Sequence, residues 1–148
     1  ADGLDLVSVT RLLEILEKMA AEAVNLQGRN VSVQALAHVT VWAGGDILVR
    51  ERVANSALFC GGSIRTPEEA TLTQSELVAG EEVTLGTLAS LRGTAPVVVR
   101  AGGRMLIDQI QPGCVLEIGS DRREIKNEMI RVVAGVNARG QLVVRQRD

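Results

Sequence analysis

His38 is the one histidine of the 148-residue chain, and the one side chain whose ordinary pKa lies near neutrality. A lone histidine can act as general base in acyl transfer. Coiled β enzymes that use one this way need a strict hexapeptide repeat, which this chain lacks. His38 therefore reads as a solvent-facing or corner residue. The carboxylates Asp46, Glu51, Glu68, Glu69, Glu76, Glu81 and Glu82 offer a second chemistry, since paired acids cleave glycosidic bonds. Polysaccharide-cleaving β folds are much longer and hold sugars on exposed aromatic rings. Here the only aromatics are Trp42 and Phe59. Glu68–Glu69 and Glu81–Glu82 read as solvated corners. Cys60 stands where Ala43, Ala79 and Ala101 stand in similar stretches, so it reads as a small buried residue rather than a nucleophile. The glycine pairs could cradle phosphate, but there is no G-x-x-x-x-G-K-[ST] and no helix follows directly. We expect no catalytic residue, no cofactor site and no metal ligand.

The glycines carry a different message once their spacing is read. "AGGD" at 43–46 is followed by "CGGS" at 60–63, "AGEE" at 79–82 and "AGGR" at 101–104, at intervals of 17, 19 and 22 residues. An apolar residue follows each mark: Ile47, Ile64, Val83 and Met105. Alternating apolar residues precede each, from Val39 and Val41 to Val97 and Val99. This is an internal repeat of irregular length. Hairpins would show longer strands and Asn-Gly or Asp-Gly turns. Short strands joined by sharp bends fit one coil of a parallel β-helix, whose inward face is buried only when coils stack. Glycine at a corner is expected to accommodate unusual backbone angles. The expected structural corners are Gly44, Gly45, Gly61, Gly62, Gly80, Gly102 and Gly103. Trp42 alternates with Val41, so it points outward and is the candidate interaction residue. "TPEEATL" at 66–72 and "RGTAP" at 92–96 interrupt the repeat as loops, because proline cannot donate to a ladder.

Flanking the repeat, residues 8–27 show helical periodicity. Leu12, Leu16, Met19, Ala20, Ala23 and Val24 share one side, and Arg11, Glu14, Lys18, Glu22 and Asn25 the other. Gly28 is placed to end this helix. Past Pro112, "CVLEIG" reads as a strand. Asp121 and Glu124 could open a helix as a capping box, but the β-branched residues that follow favour strands, with "NARG" turning into "QLVVRQ". The expected architecture is all-β: a single domain with a right-handed parallel β-helix of about four coils. Its parts are an N-terminal capping or flanking helix at 1–29, the β-helix at 30–111 and a closing β segment at 112–148.

Composition narrows the function classes. The net charge is −2, with 16 basic and 18 acidic residues spread along the chain. No basic block or aromatic series marks a nucleic-acid surface. No apolar run reaches the ~20 residues that span a membrane, and the N-terminus shows no basic leader with an apolar core. Cys60 and Cys114 lie far apart, which fits reduced thiols in a cytoplasmic protein.

Ala43-Gly44-Gly45-Asp46-Ile47-Leu48-Val49 follows the order small residue, glycine pair, acid, then Ile-x-Val. With "ERVANSALFCGGSI" at 51–64, "LVAGEEV" at 77–83, "LEIGSDRREIKNE" and "GVNARGQLVV", it resembles the bacterial flagellar assembly protein A family. That resemblance implies a central right-handed β-helix and a part in flagellar or cell-envelope assembly. The "GGDI" corner is more weakly similar to the C-terminal β-helix of the septum-site-determining division inhibitor C, which pairs through one face and binds cytoskeletal partners. The expectation is a non-catalytic scaffold, without cofactors, that forms a homo-oligomer or binds protein partners. The alternatives are a cell-division regulator and a β-helix transferase or lyase using His38 or paired carboxylates.

Overall fold

The structure, a computed structural model, describes residues 22–26, 30–90 and 95–147. Its strands in chain order begin with β1 (Glu22–Leu26), β2 (Val31–Ala37), β3 (Val39–Ala43), β4 (Ile47–Ala54) and β5 (Ala57–Cys60). Then come β6 (Ile64–Arg65), β7 (Thr71–Thr73), β8 (Glu76–Ala79), β9 (Val83–Ala89) and β10 (Val98–Ala101). The last are β11 (Met105–Ile110), β12 (Val115–Ile118), β13 (Asp121–Glu124), β14 (Met129–Val136) and β15 (Leu142–Gln146). No helix occurs among the described residues.

The strands stack as a β-solenoid of about five turns. One sheet runs β1-β3-β5-β8-β10-β12-β13, and the other runs β15-β14-β11-β9-β6-β4-β2, with β7 pairing β4 and β9. Pairing is parallel from β1 to β12 in the first sheet and from β2 to β11 in the second. The stack runs past the four glycine marks at both ends, with β1 and β2 before them and "CVLEIG" (β12) after them. β12 pairs in parallel with β10, Val98 opposite Val115 and Ala101 opposite Ile118. Beyond it, β13, β14 and β15 all pair antiparallel, so 121–124 and 129–136 are strands joined at 125–128, and no helix forms there.

The helix expected over 8–27 is corrected at its C-terminal end. Residues 22–26 form β1 and pair in parallel with β3, Glu22 opposite Val39 and Leu26 opposite Ala43. A strand edge with unpaired N–H and C=O groups outweighs a local helical pattern, since tertiary pairing overrides propensity. The rest of that helix lies outside the described residues.

Parallel stacking explains the aliphatic composition. Equivalent positions of successive coils sit ~4.8 Å apart, so each inward position becomes a column of side chains of similar size. Val41, Leu58, Leu77, Val99 and Leu116 form one such column, in register and essentially solvent-free. Val31, Ile47, Ile64, Val83 and Met105 form a second. Leu36, Val53, Leu72, Leu88 and Ile110 form a third. Burial of each such side chain stabilises by roughly 1.5–3 kcal/mol. The loop at 66–70 leaves the stack between β6 and β7. Thr66 Oγ1 ties it to the next coil by accepting the Gly86 N–H at 2.9 Å.

Candidate interaction face

The even positions of β3 turn away from the core. Trp42 is 41% exposed there, and its ring stacks on Phe59 of β5, 5.8 Å between centroids and 14° between planes. The register makes this inevitable, because Trp42 is paired with Phe59 across the parallel ladder. Such pairs contribute roughly 0.5–1.5 kcal/mol beyond their area. The same outward column continues through Val78, Arg100 and Glu117 to Arg122. The column changes character along its length, apolar at Trp42, Phe59 and Val78 and ionic beyond. Glu117, only 9% exposed, is clasped by Arg100 (Nη2–Oε2 2.6 Å) and Arg122 (Nη1–Oε1 3.2 Å).

The glycine marks fall at bends between strands, and their backbone angles are ordinary. Among the described glycines only Gly113, Gly119 and Gly140 have positive φ, and none of the three belongs to a glycine mark. The corner glycines are set by close approach. A Cβ on Gly61 would lie 2.7 Å from the Gly44 carbonyl oxygen, and one on Gly80 2.4 Å from that of Gly61. Gly102 repeats this over Gly80 at 2.2 Å. Gly62 N–H donates to Gly45 O at 3.0 Å, and Gly103 N–H to Glu81 O at 2.7 Å. At the first glycine of the marks coils touch backbone to backbone with no room for a Cβ, whereas at the second position Glu81 stands between Gly62 and Gly103.

A polar ladder runs beside these glycines. Asn30 Oδ1 accepts the Asp46 N–H at 2.8 Å, and Asp46 Oδ1 accepts the Ser63 N–H at 2.8 Å. Ser63 Oγ lies 3.4 Å from the Glu82 N–H, and Glu82 pairs with Arg104 at 3.3 Å. The acid of the "GGD" mark is thus a coil-to-coil staple.

At the opposite corner His38 is joined by two residues the sequence reading did not align with it. His38, Asn55 and Gln74 occupy this corner in successive coils, with φ of 56°, 49° and 48°. Asn55 Nδ2 donates to His38 Nδ1 at 2.9 Å. Beneath them Ser56 Oγ accepts the Val39 N–H and Ser75 Oγ the Ser56 N–H, at 3.2 and 3.1 Å. The signal lay in the spacing, since His38, Asn55 and Gln74 recur at the glycine intervals of 17 and 19.

The other chemistry-bearing residues are dispersed. Glu68, Glu69, Glu76 and Glu81 are exposed, and Glu51 accepts from Gln34. Cys60 is half-buried in register with Ala43 and Ala79, and burial raises its thiol pKa. Cys114 is buried and shifted up for the same reason. Among the described residues no three His, Cys, Asp or Glu side chains converge, and no helix is long and apolar enough to cross a membrane. No family model, curated protein or solved structure matches the chain.

Proposed function

We propose that this chain is a non-catalytic scaffold module that associates with protein partners or with a second copy through the outer face of its first sheet. The observation that carries this reading is Trp42, exposed and stacked on Phe59. An aromatic side chain fixed on a stiff sheet loses little entropy on contact, and such residues dominate binding energies at interfaces. Support comes also from where the reactive types sit. His38 bonds Asn55 and Asp46 bonds Ser63, so both serve the stack. The sequence resemblance adds flagellar or cell-envelope assembly in a bacterial cytoplasm as the setting, and a right-handed winding for the solenoid.

Two measurements test this. Sedimentation of the chain over a wide concentration range tests self-association, and a constant monomer mass removes that half of the reading. For a heterologous partner, proteins retained from a bacterial lysate by the immobilised chain are compared with those retained by Trp42→Ser. The variant is expected to lose about thirtyfold in affinity, the scale of a buried aromatic anchor. Equal retention by both overturns the role of this face.

A further inference from the structure

The inward columns of the first sheet do not end as they run. Val41, Leu58, Leu77, Val99 and Leu116 are followed in register by Arg123. Ala43, Cys60, Ala79, Ala101 and Ile118 are followed by Asp121. Paired residues of adjacent strands share a face. Asp121 and Arg123 therefore occupy core-facing positions of the last strand, where every earlier coil has a small or aliphatic side chain. They are not idle. Asp121 Oδ2 accepts the Leu142 N–H at 2.8 Å, and Arg123 Nη2 makes a long 3.5 Å contact to the Leu142 carbonyl oxygen. Both backbone groups belong to β15, the last strand of the other sheet. The outward side chains of β13 are also charged and engaged, Arg122 with Glu117 and Glu124 with Lys126. Buried Leu142 and Ile125 plug the end of the core inside this ring.

We propose that β13 is an axial stop, whose core-facing Asp121 and Arg123 prevent a second copy of this chain from stacking on this end. A stacked coil would bury both charges and take them from Leu142, and desolvation of ions is costly unless every partner is replaced. Inward charge on an end strand is a recognised defence against edge-to-edge pairing, and solenoids need polar terminal repeats. The stop concerns the end of the rod and stands apart from the Trp42 face.

The test restores the column types with Asp121→Val plus Arg123→Leu. Circular dichroism should keep its β signature. Weight-average mass in sedimentation should at least double at concentrations where the parent chain is unchanged. Electron microscopy should show particles that lengthen at constant width, which separates axial from lateral association. A folded double variant with the parent's mass overturns the proposal, as does a parent chain that itself grows lengthwise through this end. Arg123→Leu alone removes only a long contact of an exposed side chain and guards against loss of the fold in the double variant. It too should gain mass, and its failure to do so counts against the stop. The charge-keeping pair Asp121→Glu with Arg123→Lys should stay at the parent's mass, and its association would refute charge as the cause.

Discussion

At the scale of single residues, two corners of the first three coils obey opposite rules. Glycine stands where φ is ordinary, because the neighbouring coil leaves no room for a Cβ. His38, Asn55 and Gln74 stand where φ is positive, a conformation that costs an L-residue roughly 1–2 kcal/mol. Gly80→Ala forces a Cβ against the Gly61 carbonyl and is expected to cost about 1–3 kcal/mol in urea unfolding. Asn55→Gly relieves the left-handed strain but adds chain entropy and loses the bond to His38, so it should stay within about 1 kcal/mol of the parent. A larger loss for Asn55→Gly than for Gly80→Ala would reverse this account. Asp46→Ala leaves the buried Ser63 N–H without its acceptor, a loss of about 1–3 kcal/mol, whereas Asp46→Asn keeps an acceptor and should be near neutral. Cys114 gives a pH dependence. Burial raises its folded pKa above the unfolded value, so the unfolded chain releases the thiol proton first. Its contribution is fully present below the unfolded pKa of about 8.5 and is lost as pH rises through the folded value. Cys114→Ala should flatten that alkaline decline in a pH series of denaturation midpoints.

At the scale of elements, the first sheet is two surfaces in one. Its outward column begins aromatic on β3 and β5 and ends in the Arg100–Glu117–Arg122 clasp on β10, β12 and β13. The clasp joins the last parallel strand to the first antiparallel one, so it ties the closing segment to the repeat. Glu117→Gln removes the shared anion while keeping the shape. Because both arginines are largely exposed, the expected loss is modest, about 1 kcal/mol, and it should shrink as salt is added. A loss independent of ionic strength would point to packing at Glu117 instead.

For the whole molecule, contacts run from each coil to the next, a nearly one-dimensional arrangement whose stability is a sum of coil and interface terms. Interior coils have two neighbours and terminal coils one. Amide exchange should therefore be slowest in β5, β8 and β10 and faster in β15, which pairs with β14 alone. Uniform protection from β3 to β15 would mean that the closing segment is as strongly held as the repeat.

The repeat was legible because glycine marks at intervals of 17, 19 and 22 and alternating aliphatics are one-dimensional signals of a one-dimensional fold. The outward aspect of Trp42 followed from alternation, and the closing strands from β-branched residues. Sequence periodicity did not reveal β1, because "EAVNL" suits a helix face and a strand equally, and only the free edge of β3 decided between them. It gave the glycines a backbone-angle reason, while at Gly61, Gly80 and Gly102 the carbonyl of the coil before is what excludes a Cβ. It passed over His38, Asn55 and Gln74 as one column, and over Asp121 and Arg123 as the ends of two. Residue type and spacing determine which positions repeat. What each repeated position touches depends on the register between coils, a distance across the stack that no local pattern encodes.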